Sequence, residues 1–287
     1  MHCSVIIPHF NQVAHLNQCL EALSLQKSEG INFEVIVVDN GTKSFESLSF
    51  PIKNLKFITY SNSKNPYLCR NEGIKISKGK HLAFLDAKSV PSKKWLLKGL
   101  AMLESYDIVG GHYKVKTNSD LSSNVFPLMY LNNAKNAHQG YGFSAGNVFI
   151  KRKVFDAIGL FETQSVSGND ILFTRKAQHQ GFTLGYAHAV VVSYPSKDFS
   201  KLKKDAKKYG KGAALTGQKS ILSVFQYLMP MRIDTFKSAI VERDFHFSIS
   251  QKITLWFYVW IAKTQFAQGL FNGILSRYRQ QINPSPS

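Results

Sequence analysis

The sequence predicts a layered α/β protein carrying a helical, basic C-terminal part, and three observations predict it. Short β-branched runs alternate with segments of helical period through most of the chain. Carboxylates stand at the ends of two of those runs. From about residue 197 the chain turns basic, then aromatic and helical, with few turn signals. A chain of 287 residues suits one large α/β domain with an appendage. With 44% hydrophobic and 19% charged residues, wholesale disorder is excluded.

The elements follow in order. Ser4-Val-Ile-Ile-Pro8 is a β-branched run ended by proline, a buried strand. Leu16, Leu20 and Leu23 recur on one face of a helix that Asn11 is placed to cap. Phe33 to Val38 is a second strand, closed by the turn residues Asp39-Asn40-Gly41, and Leu55 to Tyr60 a third. A short helix from Asn71 to Ser77 stops before Gly79, and His81 to Leu85 is a fourth strand. Such alternation builds a parallel sheet with helices on its faces. Ligands of such sheets lie beyond the carboxyl ends of the strands, where Asp39 and Asp86 fall. Carboxylates there also serve as plain turn formers.

Pro91-Ser92 opens a helix with Leu96, Leu100 and Leu103 on one face. Residues 117–140 are polar and aperiodic and are expected to form a long surface excursion of the kind that contacts acceptors. Phe143 to Ile150 is a strand interrupted at Gly146, where a backbone or ligand can approach closely. Helices follow at Lys153–Ile158, ended by Gly159, and at Asp170–Gln180, ended by Gly181; Leu184 to Ser193 is the last strand.

Thirty-six Lys+Arg against 18 Asp+Glu give a net charge of +18. That surplus attracts polyanions without choosing among nucleic acid, lipid headgroups and phosphorylated substrates. Cys3, Cys19 and Cys69 are too few and too irregular for a disulfide framework or zinc site. The N-terminal run lacks the basic and apolar regions of a signal peptide, and no apolar stretch reaches the ~18 residues of a spanning helix. A cytoplasmic protein is expected. The nine histidines show no metal-binding spacing.

Four blocks in order then resemble family 2 glycosyltransferases of the GT-A fold. They are Ser4-Val-Ile-Ile-Pro-His-Phe-Asn11; Val35-Ile-Val-Val-Asp-Asn-Gly41; Cys69-Arg-Asn-Glu-Gly73 with Phe84-Leu-Asp86 and Trp95-Leu96; and Ser144-Ala-Gly-Asn147 with Gly168-Asn-Asp170 and Arg175. Each is short, but together they span most of residues 3–215. The resemblance implies a Rossmann-like mixed sheet flanked by helices, residues 1–215, with a C-terminal helical extension, 216–287. It also implies an inverting enzyme that moves a sugar from a nucleoside-diphosphate sugar to the hydroxyl of a glycan or lipid-linked acceptor in cell-surface polysaccharide synthesis. By the same resemblance, Pro8 and Phe10 line the base pocket, Asp39 accepts from the base, and Arg70 and Asn71 border the nucleotide. Asp86 is then the first carboxylate of the D-x-D element, and Asp170 the general base.

The chemistry asks for these residue types independently. A carboxylate taking the acceptor's proton contributes roughly 10²–10⁴-fold. The leaving diphosphate gathers negative charge that a cation must meet. Asp170 can equally be a helix N-terminal residue favourable to the macrodipole.

The pattern departs from the family at Asp86-Ala87-Lys88-Ser89, where the second carboxylate is a lysine. Three readings follow: Lys88 replaces the metal against the diphosphate; Mg²⁺ or Mn²⁺ still binds through Asp86 and other groups; or the chain is a degenerate binder of sugar nucleotides or of a partner. Asn169 stands where the family favours Glu. Val192-Ser-Tyr194-Pro195 lacks the histidine that many relatives carry after this strand, although His188 lies upstream.

Residues 197–287 carry 15 Lys/Arg and 5 Asp/Glu, a surplus of ten. Their aromatic run Ile253 to Ala262, followed by Phe266 and Leu270, suits an interfacial helix at an anionic membrane surface, or packing on the rest of the chain. A basic nucleic-acid-binding protein is the more distant alternative, but no zinc knuckle, RNP-type strand or helix-turn-helix supports specific nucleic-acid recognition.

Overall fold

The structure, a computed structural model, describes residues 1–28, 30–43, 50–60, 65–130, 133, 136, 140–217, 219–242 and 245–282, with side chains as far as Arg279. Contacts divide it into two compact units, residues 1–114 with 132–195, and residues 115–131 with 196–287.

The first unit is built on an eight-stranded mixed sheet in the order β3-β2-β1-β4-β7-β6-β8-β5. Its strands are β1 (Cys3–His9), β2 (Phe33–Asp39), β3 (Leu55–Thr59), β4 (His81–Leu85), β5 (Val90–Pro91), β6 (Ile108–Lys116), β7 (Asn147–Lys151) and β8 (Leu184–Pro195). β3, β2, β1 and β4 run parallel, with Cys3 to His9 paired residue by residue to Phe33 to Asp39. β7 then runs antiparallel to both β4 and β6. The parallel pairing read from strand–helix alternation holds for these four strands, and the sheet as a whole is the mixed one that the resemblance implies. β6 escaped the sequence reading because Gly110-Gly111 dilutes its strand signal.

The helices of this unit are α1 (Val13–Ser24), α2 (Pro66–Ile76) and α3 (Trp95–Met102). α1 buries Leu16, Cys19, Leu20 and Leu23, the face read from the spacing. Its expected cap does not form: Asn11 sits at φ 51, and its own N–H donates to Thr42 Oγ1 at 2.9 Å. α2 begins five residues before the expected start. Asn65 accepts from the Tyr67 N–H at 3.0 Å, and Pro66, which lacks an N–H, occupies the first position, where none is needed. Pro91 belongs to a short strand rather than to α3.

Residues 117–120 are exposed as expected, but residues 121–130 are not a surface excursion. Leu121–Asn124 form a 3₁₀ turn leading into α4 (Val125–Met129), where Val125, Phe126 and Pro127 are buried. The apolar Val-Phe-Pro-Leu-Met run needs burial more than its polar flanks need solvent. Most of 131–139 lies outside the described residues.

α5 (Arg152–Ile158) and α6 (Asn169–His179) complete the first unit. Phe173 of α6 stacks on Phe155 of α5 (centroids 4.5 Å apart) and leans on Phe161 at 4.8 Å, while Phe161 meets Phe84 of β4 edge-on at 5.4 Å. Each buried phenylalanine contributes roughly 1.5–3 kcal/mol. This cluster fixes the start of α6 against the sheet. All three cysteines are buried free thiols, and burial pushes the thiol of Cys69 up to about 11.

The second unit is helical: α7 (Phe199–Leu215), α8 (Ile221–Leu228), α9 (Ile233–Glu242) and α10 (Ile249–Ile282), with α4 beside them. Asp198 caps α7 by accepting from the Lys201 N–H at 2.7 Å. α7 and α10 pack backbone to backbone. A Cβ on Gly269 would lie 1.9 Å from the Lys207 carbonyl oxygen, and one on Gly210 would lie 2.0 Å from that of Phe266.

Candidate active site

The loops at the carboxyl ends of β1, β2 and β4 bring the predicted residues to one edge of the sheet. Pro8 and Phe10 close β1 and are half-buried. The strand register sets His9 opposite Asp39, and the His9 ring meets Asp39 Oδ1 through Nδ1 at 2.8 Å.

Asp39 is committed to its own turn. Oδ1 also accepts from the Thr42 hydroxyl at 2.6 Å, and Oδ2 accepts the N–H groups of Gly41 (3.1 Å) and Thr42 (2.8 Å). Four donors fill the four acceptor positions of a carboxylate. Burial works to raise the Asp39 pKa; the Thr42 and His9 hydrogen bonds outweigh it and hold the carboxyl below its ordinary range.

Asp86 follows β4 directly. Its Oδ1 accepts from Arg70 Nη2 at 2.9 Å and its Oδ2 from the Tyr194 hydroxyl at 3.0 Å. Arg70 is buried, its guanidinium lies 5.3 Å from the Tyr67 ring centre, and its Nε–H has no acceptor among the described residues. The ammonium of Lys88 lies 4.9 Å from the Tyr194 ring centre. Tyr194 therefore touches both Asp86 and the lysine that follows it two residues on. His188 is elsewhere, stacked on His112 at 4.7 Å. Gly146 permits the close approach expected of it: a Cβ there would lie 3.0 Å from Asp86 Oδ2 and 2.9 Å from the Tyr113 hydroxyl.

Asp170 is in the first turn of α6 and 8% exposed. Oδ1 accepts from the Tyr67 hydroxyl at 2.9 Å and the Ile171 N–H at 3.0 Å, and Oδ2 from the Ala145 N–H at 2.8 Å. Tyr67 thus joins the two halves of the site, bonding Asp170 through its hydroxyl and facing Arg70 with its ring. Sequence reasoning missed Tyr67 and Tyr113; a tyrosine one turn before Arg70, on the same helix face, was the available signal for Tyr67. Asn71 points away from this group. Its Nδ2 donates to the Phe161 carbonyl at 2.9 Å and its Oδ1 accepts the Phe161 N–H at 3.1 Å, so it holds the loop before α6. Asn169 does likewise, donating to the Ser165 carbonyl at 2.7 Å. Among the described residues, no three His, Cys, Asp or Glu side chains are grouped to hold a metal ion.

The mixed sheet flanked by helices, with the helical unit that follows it, is the GT-A fold of solved glycosyltransferases. Residues 4–159 match the profile of Glycosyl transferase family 2, and the chain belongs to that family and is a glycosyltransferase. It is 28% identical over 218 residues to glycosyltransferase AglE of Haloferax volcanii, a match covering 73% of this chain and 72% of AglE. It is 24% identical over 318 residues to a Methanococcus voltae enzyme named dolichyl N-acetyl-alpha-D-glucosaminyl phosphate 3-beta-D-2,3-diacetamido-2,3-dideoxy-beta-D-glucuronosyltransferase, covering 94% and 97% of the two chains. In fold it resembles the mannosyltransferase PcManGT of Pyrobaculum calidifontis, solved with GDP-Man and Mn²⁺, with a TM-score of 0.58 and 13% identity over 99% of this chain and 76% of that one.

Proposed function

We propose that the chain transfers a sugar from a nucleoside-diphosphate donor to an acceptor hydroxyl with inversion, and that Asp170 is the general base. The observation that carries this reading is the count of donors on Asp170. Among the described residues three hydrogen bonds orient the carboxylate, and one of them reaches Oδ2. An oxygen has two acceptor positions, so one on Oδ2 is left for the acceptor's hydroxyl proton. Asp39, by contrast, has its positions filled, and it shapes the turn beside the base pocket of Pro8 and Phe10.

The donor set around Asp86 does not fit a resident divalent cation. It offers one carboxylate, engaged on both oxygens by Arg70 and Tyr194, and an ammonium two residues on. In this reading Lys88 and the unsatisfied Nε–H of Arg70 meet the charge that develops on the diphosphate. The acceptor is a glycan or a lipid-linked saccharide, a class supported by the dolichyl phosphate in the M. voltae enzyme's name.

The test is thermal shift with a panel of nucleoside diphosphates, each with EDTA and with Mn²⁺, followed by single-turnover transfer with Asp170→Asn. A base-selective stabilisation in EDTA, and a transfer rate about 10²–10⁴-fold lower in the variant with donor affinity kept, are expected. Stabilisation that requires Mn²⁺ would overturn the metal-free site. An unchanged rate in the variant would remove Asp170 as base.

A further inference from the structure

α8 is apolar on two sides. Val224 and Tyr227 face inward, where the Tyr227 ring lies 4.4 Å from that of Phe266 on α10. Leu222, Phe225 and Leu228 face outward, and the corner that follows adds Met229 and Ile233. Leu222 is 70% exposed, and Phe225 and Met229 are 65% exposed. A helix apolar all round belongs in an apolar surrounding, yet one side of this one has none among the described residues.

The corner after α8 has three of its backbone carbonyls satisfied from within the chain, although it is exposed. The carbonyl of Leu228 accepts from Trp260 Nε1 at 2.8 Å, that of Met229 from Lys263 Nζ at 2.6 Å, and that of Met231 from Trp256 Nε1 at 2.8 Å. Three long side chains of α10 thus supply the hydrogen bonds that water would otherwise give to an exposed helix end. Moving the corner out of water would strand none of these carbonyls, which is the condition hydrocarbon imposes on any backbone entering it.

The same unit holds the attraction for an anionic surface. Lys201, Lys204, Lys207 and Lys211 are exposed along α7. Of the two carboxylates there, Asp198 caps the helix and Asp205 is taken by the buried ammonium of Lys197. Residues 197–287 keep a surplus of ten basic residues.

We infer that the outward face of α8 and the Leu228–Met231 corner insert into the headgroup layer of an anionic bilayer, with the α7 lysines supplying the charge attraction. This differs from the contact expected of the aromatic run itself, because Trp256 and Trp260 are turned onto the corner's backbone and buttress it. Among the described residues no helix is long and apolar enough to cross a membrane, so the contact lies in the interface plane. The inference stands apart from the transfer reaction and is tested without it.

The test is co-sedimentation of the full chain with vesicles of phosphatidylcholine alone and with added phosphatidylglycerol. Binding is expected only to the anionic vesicles. It should weaken about tenfold or more in the triple variant Leu222→Ser/Phe225→Ser/Met229→Ser, and in Lys201→Gln/Lys204→Gln/Lys211→Gln. On the unaltered chain, phosphatidylglycerol with brominated acyl chains should quench Trp256 and Trp260 while sparing Trp95, which is fully buried in the first unit. Three results would each overturn the inference. One is vesicle binding that ignores the apolar variant and is displaced by a random oligonucleotide, which assigns the charge to nucleic acid. Another is a dimer that the apolar variant turns into a monomer, without vesicle binding by either. The third is no quenching by brominated lipid.

Discussion

Arg70 donates to Asp86 at 2.9 Å while its ring neighbour Tyr67 donates to Asp170 at 2.9 Å, so one turn of α2 holds both carboxylates of the candidate site. Arg70 and Asp86 are thereby a structural pair, in addition to the donor contacts proposed for them. Replacing Asp86 with Asn would leave a guanidinium buried without its counter-charge, at about 3 kcal/mol where the break is fully buried and less here because Asp86 is partly exposed. We expect a lower melting temperature together with weaker nucleotide binding. Tyr194→Phe removes only the hydroxyl on Oδ2 and should change melting little while altering nucleotide affinity. Equal melting losses in both variants would reduce the pair to a structural one.

Lys88→Asp restores the family's second carboxylate. The expected outcome is a rise in the Mn²⁺ dependence of nucleotide binding and a fall in the metal-free affinity, measured by calorimetry with and without EDTA. A variant indistinguishable from the parent in both would make Lys88 an ordinary loop lysine lying on Tyr194.

Asp107 gives a pH signature unrelated to catalysis. Burial works to raise its pKa, and the ammonium groups of Lys153 and Lys151 and the hydrogen bonds from Thr183 outweigh that and hold it far below the usual carboxylate range. A depressed folded-state pKa contributes stability above the unfolded value of about 3.9 and loses it as pH falls below that value. Urea unfolding should therefore show the parent more stable than Asp107→Asn at pH 7, with the gap closing below about pH 4. A constant gap would assign the loss to packing.

Gly269→Val would force a side chain into the Lys207 backbone of α7, since even a Cβ there falls 1.9 Å from a carbonyl oxygen. Overpacking of this kind typically costs about 1–3 kcal/mol. A backbone clash should exceed that and be read as early loss of helical signal on heating. The first unit's nucleotide-induced stabilisation is expected to persist.

The local elements were largely legible in the sequence. Cys3–His9 and Phe33–Asp39 announce themselves by β-branched runs, His81–Leu85 by a short apolar run before Asp86, and α1 by a leucine every turn, because those patterns are set by backbone and side-chain periods of a few residues. The family, the acidic positions 39, 86 and 170, and the lysine at 88 also belong to the sequence alone. Resemblance read them directly.

Tertiary structure decided what each of those groups can do. Asp39 and Asp170 look alike in the chain. Only folding puts Gly41, Thr42 and His9 on the four acceptor positions of Asp39, while three donors among the described residues reach Asp170. Tyr67 and Asp170 lie 103 residues apart and Tyr194 and Asp86 lie 108 apart, and no local pattern encodes such hydrogen bonds. The same holds for α10, whose aromatic run in sequence suits a membrane interface or packing on the chain alike, and whose tryptophans the fold turns onto the carbonyls of residues 228 and 231. A residue's type limits the bonds it can make, but its partners follow from which distant segments the sheet and the helix packing bring within three ångströms of it.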